Sequence, residues 1–155
     1  METENKEKEQ EKEPKKYFWL KLREHFFSQL AIKKLRKMPG GADYVIVYLK
    51  LQLASLKNDG CLYFVGIGDD LVDELAEELE EDRESVNFVL KFCLKLGWIT
   101  ISEAQDIVQF NNLDCGKETE AAVRMRALRE SRKAQLTQLK KHNPALAVIA
   151  EKHLQ

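Results

Sequence analysis

The sequence predicts a mainly α-helical α+β structure, and three observations support that prediction. Apolar residues recur at helical spacing, most clearly over residues 70–79 and 83–96. Residues 98–101 and 107–110 instead alternate apolar and polar side chains around a turn at 102–106, which is typical of a β-hairpin. The chain has 155 residues, of which 44% are hydrophobic, so it can bury one core and not comfortably two.

The N-terminal part begins with a charged segment over residues 1–16, which has almost nothing apolar to bury and is predicted to be disordered. Residues 17–22, YFWLKL, alternate around aromatic side chains and predict a short strand or an extended arm. Ser28 is expected to cap a helix over 29–38, and the Pro-Gly-Gly that follows is expected to end it.

The most apolar segment is 42–57, which is long enough for about four helical turns. A β-branched run at 45–47 argues weakly for a strand, whereas the length and the Gly-Gly entry favour a helix. Because this segment is apolar nearly all round, we expect it to be the central helix of the core or part of a dimer seam. Asn-Asp-Gly at 58–60 predicts a turn, and a short strand at 61–65 follows.

Two helices in close succession come next, over about 70–79 and 83–96. Asp82 is expected to cap the second helix, and Gly97 is expected to end it. The hairpin follows, and a last helix is predicted over 118–141, before Pro144 interrupts the chain.

This order of elements is that of a winged helix-turn-helix. Residues 83–96 would then be the recognition helix and the hairpin at 98–110 the wing. The predicted organisation is a winged-helix domain at 17–113, followed by a basic helical extension at 114–155.

Charge is unevenly distributed, although 25 Lys and Arg against 26 Asp and Glu leave a net charge of −1. Residues 15–37 carry +7 and residues 117–142 carry +5, whereas residues 38–116 carry −10. The overall balance excludes a globally basic nucleic-acid coat protein. The asymmetry indicates either an anionic partner for the two basic segments or neutralisation of the acidic middle within one fold.

Candidate DNA-binding residues fall into three sets, on the first helix, on the recognition helix and on the last helix. Each set has a plain alternative, namely a solvated face, a half-exposed helix, or a helix that packs against a second copy. At the recognition helix, Glu80, Glu81, Asp82 and Glu84 would oppose phosphate. The candidates are Lys33, Lys34, Arg36 and Lys37; Arg83, Ser85, Asn87, Lys91 and Lys95; and Arg124, Arg126, Arg129, Arg132 and Lys133.

Several functional classes find no support in the residue pattern. Three cysteines without CxxC spacing indicate reduced thiols in a cytosolic protein, and the three scattered His residues do not suggest zinc. No apolar run is long enough to span a membrane, and the polar start is no signal peptide. No nucleophile arrangement or separated acid–base pair is readable, so we expect no catalysis, no metal and no cofactor.

Three strings carry a resemblance to a known family. YFWLKL, IKKLRKMPGGADYVIVYLKLQLASLKNDGCLYF and GIGDDLVDELAEEL resemble the N-terminal domain of phage replisome organizer proteins, from about Lys15 to Phe110. AAVRMRALRESRKAQ resembles the basic stretch that follows that domain. The resemblance implies a winged helix in a phage or prophage protein that binds repeated sites of a replication origin.

The same resemblance implies the partners and the setting. They are double-stranded DNA, further copies in a homodimer or higher oligomer, and host or phage helicase-loading proteins, in the cytoplasm of a bacterial cell. Two other functions stay open at this point. One is a protein-binding adaptor or inhibitor that uses the acidic surface, and the other is a winged-helix transcriptional regulator.

Overall fold

The computed structural model describes residues 15–152, so the predicted disorder of residues 1–14 lies outside the described residues. Residues 18–117 form one compact unit, and residues 15–17 with 118–152 form another. Across the described range, no helix is both long and apolar enough to cross a membrane.

The larger unit is α+β, as predicted from the sequence. Short 3-10 turns at Phe26–Ser28 and Leu56–Asn58 stand before the first helix and after the second. Its elements in chain order are β1 (Phe18–Leu20), α1 (Leu30–Lys37), α2 (Gly41–Ser55), β2 (Cys61–Tyr63), α3 (Leu71–Leu79), α4 (Arg83–Lys95), β3 (Ile99–Ile101), β4 (Ile107–Phe110) and β5 (Cys115–Lys117).

The predicted hairpin forms, and its second strand is the centre of a three-stranded antiparallel sheet. β4 pairs with β3 on one side and with β2 on the other, in the order β2-β4-β3. Ser102 closes the hairpin turn, because its Oγ accepts the backbone N–H groups of Asp106 at 3.1 Å and Ile107 at 3.0 Å. The sheet therefore ties the strand after α2 to the hairpin after α4.

A second, two-stranded sheet pairs β1 with β5, antiparallel, with Trp19 opposite Gly116. A Cβ at Gly116 would lie 2.3 Å from Nε1 of Trp19, so the indole occupies space that only glycine leaves open. The sequence predicted β1 but not β5, since Cys-Gly-Lys is short and has no alternating pattern.

The core is centred on α2, as its apolar composition predicts, although Ile46 and Leu53 on one face of this helix are exposed. Val47 and Leu51 of α2 are fully buried in one cluster with Ile32 and Leu35 of α1. Val86 and Val89 of α4 are also fully buried and belong to the same cluster, which extends to residues of α3 and of the three-stranded sheet. The β-branched run adopts a helix because burial of Val45 and Val47 outweighs a weak local preference for strand.

α1 and α2 approach each other closely where one ends and the next begins. Gly40 has φ +77°, which turns the chain, and the Gly41 N–H donates to the Met38 carbonyl at 2.8 Å. A Cβ at Gly41 would lie 2.4 Å from the carbonyl oxygens of both Leu35 and Arg36. The glycine pair therefore sets how closely α1 packs on the core.

Some predicted helix ends are correct and one is wrong. Asp82 caps α4 by accepting the Ser85 N–H at 2.9 Å, and Gly97 follows the helix with φ +70°, both as predicted. Ser28 does not cap α1: the cap position is Gln29, with no side-chain hydrogen bond. Ser28 instead closes the 3-10 turn through its N–H to the His25 carbonyl at 2.9 Å.

The smaller unit contains α5 (Glu120–His142) and α6 (Pro144–Lys152). Thr119 caps α5, since its hydroxyl oxygen accepts the Ala122 N–H at 3.2 Å. Pro144 interrupts the helix, as predicted, and is also the first residue of α6, where its missing N–H costs nothing. The sequence predicted a helical extension over 114–155 but no separate helix after Pro144.

Candidate nucleic-acid interface

The first basic surface is the outer face of α1. Ile32 and Leu35 are fully buried, so the opposite face of this short helix points to solvent. The four predicted cations of α1 are all exposed there, and the helix contains no acidic residue. Three of them lie in its last turn, where positive charge also interacts favourably with the helix dipole. The set is Lys33, Lys34, Arg36 and Lys37.

The start of α4 is held by contacts within the unit. Arg83 forms an ion pair with Asp70 and lies 4.0 Å from Asp73, so α3 already balances its charge. The Ser85 hydroxyl bonds the Asp82 carboxylate at 3.0 Å. Two of the predicted contact residues are therefore partnered inside the protein.

Two of the four carboxylates near this helix start are also engaged. Asp82 is the cap described above, and Glu81 accepts from Nζ of Lys50 at 2.5 Å. Lys50 also donates to the Leu79 carbonyl at 2.9 Å, which fixes the turn between α3 and α4. Glu80 and Glu84 are exposed. The repulsion of phosphate that the sequence predicts from four carboxylates therefore comes mainly from Glu80 and Glu84.

Further along α4, Asn87 and Lys91 line a cleft of about 620 Å³. Its walls are α4, the residues that lead into α3, and the turn between β3 and β4. Asp69, Asp70 and Glu103 also line it. An amide and an ammonium group can bond base edges, but three carboxylates do not attract phosphates. Lys95, one turn beyond Lys91, is exposed.

Sequence reasoning missed the residue that shapes the loop before α3. Both Glu74 carboxylate oxygens accept backbone N–H groups of this loop, from Val65 at 2.7 Å, Gly68 at 3.0 Å and Ile67. Desolvation alone would raise the pKa of Glu74, but these N–H groups lower it below its ordinary value. The loop is thereby held with Ile67 89% exposed beside the cleft. In the sequence, Glu74 is indistinguishable from the other acids of α3.

The third basic surface is α5, a helix about 35 Å long. Its predicted cations are distributed around the helix rather than along one stripe. Four of the five predicted residues are exposed, namely Arg124, Arg129, Arg132 and Lys133.

Arg126, the fifth, has a different environment. Its guanidinium bonds Glu118 at 3.0 Å and the Lys15 carbonyl, and it lies 4.2 Å from the centre of the Tyr17 ring. The hydrogen bond from Arg126 lowers the pKa of Glu118, and the Tyr17 N–H adds to that effect. These contacts attach residues 15–17 to the start of α5. They occupy the guanidinium that the sequence assigned to DNA.

The described residues give little support to a metal site or to a catalytic thiol. Between residues 15 and 152, no group of three or more His, Cys, Asp or Glu side chains is placed to hold a metal ion. Cys61, Cys93 and Cys115 are free thiols, and burial raises the pKa of Cys93 to about 12. A neutral, buried thiol is a packing residue rather than a nucleophile.

One comparison with known proteins is positive. The sequence model of a family described as N-terminal phage replisome organiser matches residues 19–137. The match runs from β1 into α5, so it includes the basic face of α1, the whole of α4 and most of the cations of α5. Comparison with curated proteins and with solved structures gave no match.

Proposed function

Because the chain belongs to the N-terminal phage replisome organiser family, we propose that it binds double-stranded DNA sequence-specifically at a phage-type replication origin. The family assigns it a role related to phage replication. The finer proposal is recognition of repeated origin sites without catalysis, in the cytoplasm of the bacterial host.

The topology of the larger unit supports DNA binding. Helix α2, strand β2, helices α3 and α4, and the β3–β4 hairpin follow in the order of a winged helix-turn-helix. β2 pairs with the second strand of the hairpin, which ties the hairpin to the helical core. In this arrangement α4 is the recognition helix and the hairpin is the wing.

The observation that carries the proposal is the concentration of exposed cations on two helices of a chain whose net charge is −1. α1 presents four cations and no acid, and α5 presents the four exposed residues named above. Phosphate contacts supply most of the affinity for DNA, and exposed Lys and Arg side chains supply those contacts.

The DNA-binding residues have different roles, which follow from their side-chain chemistry. The cations of α1 and α5 bind phosphates and set the affinity. Asn87 and Lys91, in the cleft beside the hairpin, bond base edges and set the sequence preference. Arg83 and Arg126 are positioning residues, because their guanidinium groups hold Asp70 and Glu118.

Several copies are expected to bind together at repeated sites. Met125, Leu128 and Leu139 on α5 are 50%, 43% and 42% exposed, which leaves apolar surface for a second copy. Linking copies raises the effective affinity at an array of repeats, even when each single contact is weak. Host or phage helicase-loading proteins would then be recruited to the array.

The test is fluorescence anisotropy with duplexes that tile the DNA around the gene, at two salt concentrations. We expect tight binding to a repeat-bearing duplex, with log K falling by about 0.9 per log unit of salt for each phosphate contact. Lys33→Glu/Lys34→Glu should weaken binding and reduce that slope. Lys57→Glu/Lys117→Glu, with the same charge change elsewhere in the larger unit, should do neither. Equal effects of the two double variants would refute a phosphate-binding face on α1.

A second candidate function rests on the carboxylates of the cleft. Asp69, Asp70 and Glu103, with exposed Leu94 and Ile67 nearby, would suit a replication protein that presents basic and apolar side chains. DNA binding that is absent or insensitive to salt would favour this adaptor function. A single palindromic promoter site, in place of origin repeats, would favour a transcriptional regulator instead.

A further inference from the structure

A separate cavity of about 320 Å³ lies in the larger unit, between the segment after β1, helix α2, Trp98 in the turn before β3, and the end of β4 with the residues that follow it. That size is at the lower end of the range for small-molecule pockets. Four aromatic rings line it, with Tyr48 packed 5.3 Å from Trp98 and 6.4 Å from both Phe26 and Phe110, centre to centre. None of the residues assigned above to duplex DNA lines this cavity.

The cavity contains a buried polar pair whose hydrogen-bonding capacity is not fully used. Gln52, only 7% exposed, donates from Nε2 to Oη of Tyr48 at 3.1 Å. Gln52 Oε1 has no hydrogen-bond partner among the described residues. Burial raises the pKa of Tyr48, so its hydroxyl keeps its proton and can donate. The pair therefore offers one acceptor and one donor side by side.

The rim of the cavity is polar and carries more positive than negative charge. Lys21, Arg23 and His25 line it and are exposed. Asp114 also lines it and pairs with Arg23 at 3.0 Å, whereas the Lys21 ammonium forms no ion pair among the described residues. An uncharged aromatic interior beneath a cationic edge suits a flat heterocycle joined to an anion.

We propose that this cavity binds an unpaired nucleobase, with Gln52 and Tyr48 bonding its edge and Lys21 contacting the attached phosphate. Every base presents a donor next to an acceptor along its pairing edge, which is the pattern that complements this pair. Trp98 is half-buried and supplies a ring on which a base can stack. The base can come from a separated DNA strand or from a free nucleotide, since the chemistry recognised is the same.

The test is a two-dimensional NMR titration of the complete chain, which follows the side-chain amide of Gln52 and the indole N–H of Trp98. Deoxyadenosine monophosphate is one probe, and a single-stranded deoxyadenosine decamer is the other. We expect both signals to shift in a saturable manner. Tyr48→Phe should weaken the affinity about 10-fold, the effect of one lost hydrogen bond. Lys21→Glu, at an exposed position that leaves the core intact, should weaken it at least as much.

The two probes distinguish a separated DNA strand from a free nucleotide as the source of the base. Shifts with both probes or with the decamer alone support a site for an unpaired strand, and shifts with the monophosphate alone support a free-nucleotide site. No shift with either probe overturns the proposal, as does an unchanged affinity in both variants. Lys57→Gln, at an exposed position outside this cavity and outside the residues assigned to duplex DNA, is the control and should leave both titrations unchanged. Duplex affinity, measured on the same variants, shows whether binding to double-stranded DNA is lost independently of binding at this cavity.

Discussion

Replacing Gly41 by alanine should destabilise the larger unit and displace α1. The added Cβ would lie 2.4 Å from two carbonyl oxygens at the end of α1, those of Leu35 and Arg36, roughly 1 Å closer than ordinary contact. Both obstructing atoms belong to the backbone, so no side chain can rotate away. Overpacking of this kind costs about 1–3 kcal/mol. Alanine returns at most about 1 kcal/mol of helix propensity at this first residue of α2.

Because two backbone oxygens obstruct the Cβ at once, we expect a cost near the upper end of that range and a net loss of about 2 kcal/mol after the gain in helix propensity. Such a loss would lower the melting temperature of a unit of this size by about 8–16 °C. Differential scanning calorimetry measures that shift. Gly97→Ala is the matched control, because Gly97 has φ +70° but nothing within 4 Å of its added Cβ. Its expected cost is about 1 kcal/mol, from the left-handed backbone alone. If Gly41→Ala melts at the wild-type temperature, or above Gly97→Ala, the close approach of α1 and α2 does not limit stability.

Three further predictions concern a cap, an ion pair and a thiol. Asp82→Ala should lower the free energy of unfolding by about 1 kcal/mol in urea denaturation, whereas exposed Glu84→Ala should change it little; equal losses would argue against the cap. The pKa of Glu118 is lowered in the folded chain, so its stabilising contact with Arg126 is complete above the unfolded pKa and is lost as the pH falls through the folded pKa. The Tyr17 amide signal, whose N–H donates to Glu118 at 2.9 Å, should therefore move at acidic pH, and this movement should change in Arg126→Ala; an identical titration in the variant would contradict the pairing. An aromatic disulfide reagent should label exposed Cys115 rapidly and buried Cys93 only on unfolding, because burial raises the pKa of Cys93 to about 12; early labelling of Cys93 by mass spectrometry would show that the core opens.

The elements that the sequence predicted well are those whose signals are local and redundant. α4 combines a helical apolar period, a capping aspartate and a terminal glycine, and all three describe the same helix. The β-branched run inside α2 is a weak local signal for a strand, and the burial of Val45 and Val47 in the helical core outweighs it.

The elements that the sequence missed depend on distant partners. β5 is Cys-Gly-Lys, which becomes a strand only because β1, about a hundred residues earlier, pairs with it. Ser28 is of a residue type that commonly caps helices, but it lies inside a 3-10 turn that precedes α1. Neither contact leaves a pattern within a short window of sequence.

In the candidate site, too, local signals were predictable from the sequence, and contacts between side chains were not. Exposure of the α1 cations followed from amphipathic spacing, and the structure places them as expected. The engagement of Arg126 by Glu118 and Tyr17 could not be read, because a basic residue on a basic helix has the same sequence signature whether it is partnered or free. The pairing of Gln52 with Tyr48 is at helical spacing, but its free acceptor becomes visible only with the surrounding aromatic rings in place.

The pairing of β1 with β5 has a mechanical consequence. Phe18 stands opposite Lys117, so the chain enters and leaves the larger unit at one point. Hydrogen bonds between antiparallel strands run perpendicular to the strands, and tension applied between these two ends therefore pulls along the bonds. Such tension loads one rung of the ladder at a time and peels the strands apart, whereas strands pulled lengthwise share the load across all rungs. The larger unit should consequently yield to small forces at its ends while its helical core stays folded.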